Sequence, residues 1–334
     1  MFRNRMAIGL IVGIAFAAPL AHGQPVSFER LRAIGDSLTI GTQGGMISDE
    51  RNQPRSWPAV LAQQMGTTLY LPLLEPMTIV AAQRRVDYPN YEYAHVMAYN
   101  GVSVDDTYMK TCDEIPFLQF GWDWEHINLV LAPRWGESLL SAVVNDDPTF
   151  VVGYLGANDY MNKVMAKGTV IENIPIYGEV EPLDGSGMRP QDLFYRDYKV
   201  VIEALYQPGR GICFGTMPVL PDIPGLLDKE ELTEFIGPNP MPEDCVTDYI
   251  VAAAIYSGLL PAWTPDMVAD DRNYYTPAEI AYINDQIAGY NNTIRTLAAD
   301  PNHPFAVAES PIQMPEITSG AYRINGWRIN ADVS

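Results

Sequence analysis

A serine stands directly after a short apolar run near the start of the chain. Residues 32–41 contain that run, then Gly-Asp-Ser-Leu, then a further glycine at position 41. The pattern predicts a strand that stops abruptly and presents Ser37 at its carboxyl end, where ligands bind in open α/β sheets. A serine hydroxyl becomes a nucleophile only with a base that takes its proton and with donors that stabilise the developing oxyanion.

Two further predicted strands end in residues that can donate such hydrogen bonds. The apolar run at 96–99 ends just before Gly101, and the run at 150–155 is followed closely by Asn158. Because the carboxyl ends of parallel strands lie at one edge of a sheet, these residues and Ser37 can converge there. The N–H groups of Ser37 and Gly101 and the side-chain amide of Asn158 would then form an oxyanion hole.

Strands and helices alternate along the whole chain, without a break in composition or an internal repeat. That pattern favours a single three-layer α/β domain built on a parallel sheet. A connection at about 218–275, rich in proline, methionine and acidic residues, is long enough to be predicted as an insertion. Further strands are predicted at 211–217 and 305–308, helices at 56–65, 137–144, 191–206 and 276–300, and an aromatic, loop-like segment at 112–137.

The motifs at the strand ends resemble those of the SGNH, or GDSL, hydrolases. Gly-Asp-Ser-Leu at 35–38, Gly101 and Gly-x-Asn-Asp at 156–159 are similar to the first three sequence blocks of that family. The resemblance covers nearly all of the chain and implies a serine esterase or lipase with a flavodoxin-like, three-layer α/β/α fold. It implies Ser37 as the nucleophile and Asn158 as an oxyanion donor, without a metal or nucleotide cofactor.

The glycine position of this resemblance has two candidates. Gly101 aligns with the family's glycine directly, whereas a register shifted by three residues would put Val104 there. Each has a backbone N–H, but a valine side chain would crowd the oxyanion hole, so we prefer Gly101. The two motif neighbours, Asp36 and Asp159, are expected to have structural roles.

The base that should activate Ser37 is missing from this arrangement. The family carries it in an Asp-x-x-His block after the last strand, but no histidine follows position 303 in this chain. Residues 300–304 match the block formally, yet they precede the last predicted strand. His303 should therefore lie at the amino edge of the sheet, about 15–20 Å from Ser37. The other histidines are expected to be structural or incidental: His22, His95 and His126.

Two explanations of the missing block stay open. We favour a chain that is truncated at its carboxyl end over a degenerate member that has lost catalysis, because no terminal helix follows the last strand. In either case the 334 residues should be at least about 10³-fold less active than an intact homologue. The alternative function is a non-catalytic exported protein that holds a carbohydrate or acyl chain with Trp122, Trp124 and Trp135 and with the insertion at about 218–275.

Charge and the N-terminus predict location and partners. A formal net charge of -20 disfavours nucleic acids and anionic membrane surfaces as partners. Arg3 and Arg5 precede an apolar run and small residues at 21 and 23, which predicts a secretory signal peptide over 1–23. That run is too short for a stable membrane span. We therefore expect a periplasmic or secreted protein, a single domain over 24–334, that acts on small-molecule, lipid or carbohydrate esters.

The chain has three cysteines, and an oxidising compartment would allow one disulfide. Cys213 lies in a predicted buried strand, whereas Cys112 and Cys245 lie in loop-like segments. We therefore expect a Cys112–Cys245 disulfide. No spacing of cysteine and histidine suggests a zinc site.

Overall fold

A computed structural model describes residues 27–41, 49–75, 85–87, 90–112, 126–160, 188–219, 226–248, 274–309, 323–324 and 327–328. The predicted signal peptide, Trp122, Trp124 and much of the predicted insertion lie outside these residues. The chain divides into two compact units. The first comprises Met1–Asp159, Arg189–Thr216 and Tyr290–Glu309, and the second comprises Tyr160–Met188, Met217–Gly289 and Ser310–Ser334.

The first unit is built on a five-stranded sheet in which every neighbouring pair is parallel. Its strands are β1 (Leu31–Gly35), β2 (Val96–Ala98), β3 (Phe150–Tyr154), β4 (Gly211–Gly215) and β7 (Ala306–Ala308). Their order across the sheet is β2-β1-β3-β4-β7. All five residues of β3 are buried, as expected for an apolar run in a parallel sheet that is covered on both faces. The predicted α/β class and parallel sheet are confirmed.

The helices predicted at 56–65, 137–144 and 191–206 are confirmed to within two residues at each end. In α6 (Gln191–Leu205) the buried side chains recur at three- and four-residue steps, for example at Phe194, Tyr198, Val201 and Leu205. The helices of this part of the chain are α1 (Ser37–Ile40), α2 (Trp57–Met65), α3 (Asp106–Met109), α4 (His126–Leu131), α5 (Leu139–Asn145) and α6 (Gln191–Leu205), with a 3₁₀ turn at Gln53–Arg55.

The second unit contains the hairpin of β5 (Leu226–Asp228) and β6 (Val246–Asp248), with α7 (Lys229–Ile236) between the two strands. Leu232, Met241 and Cys245 form its buried apolar cluster. A short hairpin of β8 (Arg323–Ile324) and β9 (Trp327–Arg328) belongs to the same unit.

The long helix α8 (Pro277–Ala298) begins in the second unit, and its residues from Tyr290 onward belong to the first. Glu279 accepts hydrogen bonds from the backbone and hydroxyl of Thr276, which confirms the predicted capping box. No helix in the described ranges is both long and apolar enough to cross a membrane.

Two expectations are wrong. Residues 112–137 are not loop throughout, because α4 forms there and buries Ile127, Val130 and Leu131. The expected Cys112–Cys245 disulfide is absent, since each of the three cysteines is a buried thiol. Cys112 exchanges backbone hydrogen bonds with residues 136 and 137, and Cys245 packs in the cluster of the second unit. Each thiol fills apolar space as a small hydrophobic side chain.

Candidate active site

Ser37 begins α1, immediately beyond the carboxyl end of β1. Asp36 caps this helix: its Oδ1 accepts from the Leu38 N–H at 3.0 Å, and its carbonyl accepts from the N–H groups of Thr39 and Ile40. These bonds occupy the other N–H groups of the first turn. No described residue accepts from the N–H of Ser37 or bonds to its partly buried hydroxyl. None of the described residues therefore prevents a ligand from bonding to the N–H and the hydroxyl of Ser37.

Gly35 lets α1 fold back closely over the end of β1. A Cβ on residue 35 would lie 2.0 Å from Thr39 Oγ1 and 2.7 Å from the Tyr154 carbonyl oxygen. Any other residue would force the helix or the neighbouring strand to move. The glycine of the motif thus determines where Ser37 sits relative to the edge of the sheet.

The strand register brings the three predicted site residues to one edge. Gly35 pairs with Ala98 of β2 on one side and with Tyr154 of β3 on the other. Ser37, Gly101 and Asn158 follow these three paired positions by two to four residues. Adjacent strands are about 4.8 Å apart. The order of the strands reverses between β1 and β3, which is where open α/β sheets hold their ligands.

Two hydrogen bonds join the loop after β2 to the loop after β3. The Asn158 side-chain amide donates to the Val102 carbonyl at 2.9 Å, and the Val104 N–H donates to Asp159 Oδ2 at 3.0 Å. Of the two candidates for the glycine position, Val104 therefore has its N–H occupied. Gly101 has a φ of 81°, and no described residue accepts from its N–H. One of the two amide hydrogens of Asn158 remains after the bond to Val102.

Arg189 links these loops to the neighbouring helix, and sequence reasoning missed it. Its guanidinium lies 2.8 Å from Asp105 Oδ1 and 3.5 Å from Asp159 Oδ1, and it forms an ion pair with Asp197 of α6. Tyr108 donates a hydrogen bond to Asp197 as well, at 2.7 Å. These residues come from three parts of the chain, 105–108, 159 and 189–197, so no local spacing could have predicted the whole group.

Two carboxyl groups beside the site, those of Asp36 and Asp159, have raised pKa values. Burial raises the pKa of Asp36 to about 7, against the hydrogen bonds that it accepts from the helix. Burial also raises the pKa of Asp159 to about 7, against the Val104 hydrogen bond and the charge of Arg189. Their contacts agree with the structural roles expected for the two motif neighbours.

The two histidines whose surroundings are described lie at the opposite edge of the sheet. His95 directly precedes β2 and packs edge-on against Tyr70, and burial lowers its pKa to about 4. His303 precedes β7, with its Nδ1 3.4 Å from Asp300 Oδ2. Because the strands are parallel, these amino ends are a strand length away from Ser37. Neither histidine is in a position to take its proton.

In the described part of the chain, no three His, Cys, Asp or Glu side chains are grouped so that they could hold a metal ion. No protein-family model matches the chain, and no curated protein matches it significantly. The chemistry of the site is therefore inferred from its residues and their contacts.

Proposed function

We propose that this protein is an exported serine ester hydrolase of the SGNH type, with Ser37 as its nucleophile. The observation that carries the proposal is the convergence of Ser37, Gly101 and Asn158 beyond three adjacent strand ends, at the point where the strand order reverses. Donors on three separate segments are what an oxyanion hole needs. Small-molecule, lipid or carbohydrate esters are its proposed substrates.

The sheet supports the finer part of the fold proposal. Counting only the strands of the large sheet, its order is 2-1-3-4-5, the order of flavodoxin-like sheets. Helices connect these strands, as a three-layer arrangement requires. A flavodoxin-like SGNH fold is therefore the architecture that we propose.

In the proposed reaction, the Ser37 oxygen attacks the ester carbonyl carbon while its proton passes to a solvent water or hydroxide. The carbonyl oxygen becomes an oxyanion that accepts from the N–H groups of Ser37 and Gly101 and from the Asn158 amide. The alcohol then departs with a proton, and water hydrolyses the acyl-serine. No described residue bonds to the Ser37 hydroxyl, so attack must proceed without a positioned histidine among them. We therefore expect slow turnover, at least about 10³-fold below a homologue with the Asp-x-x-His block.

Hydrolysis of p-nitrophenyl acetate tests this proposal, because its good leaving group makes a slow enzyme measurable. The parent chain, Ser37→Ala and the control Ser27→Ala, which changes an exposed serine, are compared at equal concentration. We expect a measurable rate for the parent and for Ser27→Ala, and the uncatalysed background for Ser37→Ala. Equal rates for the parent and Ser37→Ala would refute the assignment.

The lack of a base beside Ser37 among the described residues also favours a second candidate. A non-catalytic protein could use the same edge of the sheet to hold a carbohydrate or acyl chain. Trp135, which is 41% exposed, belongs to the aromatic segment that we associate with this role. Saturable binding of an ester or its acid, with the same affinity in Ser37→Ala and no hydrolysis, would favour this candidate over the enzyme.

A further inference from the structure

Arg189 is a partly buried cation with carboxylates from three segments around it. Its side chain is 17% exposed, whereas those of Asp159 and Asp197 are almost fully buried. Asp105 belongs to the loop after β2, Asp159 to the loop after β3, and Asp197 to α6. A guanidinium suits this position because its planar fork directs several N–H groups to different acceptors at once.

The backbone of Arg189 is held as firmly as its side chain. Its N–H donates to the Asp159 carbonyl at 3.0 Å, and its own carbonyl accepts from the hydroxyl of Tyr290 in α8. The backbone of Arg189 is therefore fixed beside Asp159, and its side chain extends from there to Asp105. A residue fixed at both ends in this way can transmit the position of one loop to the other.

The contacts of Arg189 reach Asp159 and Asp105, which lie on the same two loops as the proposed oxyanion donors. Asp159 is the neighbour of Asn158 and accepts the N–H of Val104. Asp105 stands four residues beyond Gly101 and also accepts from the hydroxyl of Ser103 at 2.7 Å. The guanidinium therefore joins the loop that carries Gly101 to the loop that carries Asn158.

We infer that Arg189 is a positioning residue for the oxyanion hole, which holds the loops of Gly101 and Asn158 in register. The inference rests on the function proposed above. It gives Arg189 no contact with the substrate, so its effect must be transmitted through Asp105 and Asp159. A guanidinium that served stability alone would change the unfolding transition without changing the rate of the folded protein.

The kinetic test compares Arg189→Met and Arg189→Lys with the control Arg134→Met. Arg134 is a similarly buried arginine, 6% exposed, that bonds to Asp146 and Glu137 in the same unit. Asp146 also binds Arg32 near the amino end of β1, away from the Ser37 edge. Every rate is taken as the difference between a variant and the same variant carrying Ser37→Ala, so that only Ser37-dependent hydrolysis is counted.

We expect Arg189→Met to lower kcat for p-nitrophenyl acetate about 10²-fold, because displaced donors stabilise the oxyanion poorly. KM should change little, and Arg189→Lys, which keeps the charge but loses the fork, should lose about tenfold. Arg134→Met should keep its kcat within about twofold while losing a similar amount of stability. Equal kcat values for Arg189→Met and Arg134→Met would overturn the inference.

Hydrogen exchange of the Val104 amide supplies a measurement that does not depend on activity. We expect this amide, which bonds to Asp159, to exchange at least about tenfold faster in Arg189→Met than the change in global stability explains. Arg134→Met should show only the global change. If Val104 exchange in Arg189→Met also follows global stability alone, the inference is wrong.

The two measurements separate failure of the inference from failure of the proposed function. If the parent chain shows no Ser37-dependent hydrolysis, the proposed function fails, and the Val104 amide alone decides whether Arg189 holds the two loops. If hydrolysis is present but kcat or Val104 exchange in Arg189→Met behaves as in Arg134→Met, the function stands and the inference fails.

Discussion

Ser37 differs from its neighbours in α1 because its N–H has no acceptor among the described residues. Asp36 accepts from the three N–H groups that follow, and Asp159 accepts from Val104 in the adjacent loop. Within the described part of the chain, the N–H groups of Ser37 and Gly101 and one hydrogen of the Asn158 amide have no acceptor. At the scale of single residues, the proposed chemistry depends on these three donors.

Replacing Asn158 tests the donor that the side chain supplies. Asn158→Ala removes one oxyanion donor and the bond to the Val102 carbonyl, so kcat for Ser37-dependent hydrolysis should fall about 10²–10³-fold. KM should change little, because the donor acts mainly on the charged intermediate. Asn302→Ala, an exposed asparagine before β7, is the matched control and should keep its kcat. A normal kcat in Asn158→Ala would remove this residue from the oxyanion hole.

The buried carboxyl of Asp36 should make stability depend on pH. Its pKa is about 7 in the folded protein and about 4 in the unfolded chain. Its contribution to stability is thus fully present below pH 4 and is lost as the pH rises to about 7. Asp36→Asn keeps the cap without a charge and should be about 2–4 kcal/mol more stable than the parent at pH 8, with little difference at pH 4. Denaturant unfolding at both pH values measures this.

Asp49 is a control because its contribution to stability should change with pH in the opposite direction to that of Asp36. Its hydrogen bond with the Arg51 side chain holds the pKa of this carboxyl below its usual range. That contribution is present at neutral pH and is lost as the pH falls below about 4. Asp49→Asn should therefore be less stable than the parent at pH 8 and closer to it in acid. If Asp36→Asn behaved in the same way as Asp49→Asn, Asp36 would be ionised in the folded protein.

Among the secondary-structure elements, the junction of β1 and α1 should be the part where a substitution disturbs the site most. Gly35→Ala would bring a methyl group into Thr39 and into the backbone of β3. We expect a loss of about 3 kcal/mol in the free energy of unfolding, together with loss of Ser37-dependent hydrolysis as α1 shifts. Urea unfolding and the p-nitrophenyl acetate assay measure the two effects.

Gly215→Ala is the matched control for this junction. At the end of β4, its added Cβ would lie 3.0 Å from the ring of Tyr154 and 3.9 Å from the Ala308 carbonyl oxygen, so it would meet no backbone atom closely. It should cost about 1 kcal/mol and leave the Ser37-dependent rate near that of the parent. Hydrolysis that survives in Gly35→Ala would show that the position of α1 is not critical.

The elements that sequence reasoning predicted well are those with a strong local signal. The apolar run at 150–155 became β3, and the capping box at Thr276 begins α8. The helix α4 was missed because its apolar residues lie in a segment whose tryptophans and polar residues obscure their spacing. The Arg189 contacts could not be predicted, since they depend on how distant strands pair rather than on any local pattern.

In the first unit, the strands are parallel, so all their amino ends lie at one edge of the sheet and all their carboxyl ends at the other. His303 lies at the amino edge and Ser37 at the carboxyl edge, so His303 should have no role in the reaction. The residue precedes β7, has its Nδ1 3.4 Å from Asp300 Oδ2 and packs edge-on against Tyr206. We expect His303→Ala to keep the Ser37-dependent rate within about twofold and to cost less than about 1 kcal/mol of stability. A large fall in rate without unfolding would make His303 the base and would contradict its placement at the edge of the sheet opposite Ser37.

Ser37 is tested most directly as the nucleophile by identifying which residue reacts with an active-site-directed phosphonofluoridate. The reagent phosphonylates a serine whose hydroxyl faces an oxyanion hole, and peptide mapping by mass spectrometry locates the adduct. We expect a slow reaction confined to Ser37, absent in Ser37→Ala and weakened in Asn158→Ala. An adduct on another residue, or equal labelling of the parent and Ser37→Ala, would contradict this assignment.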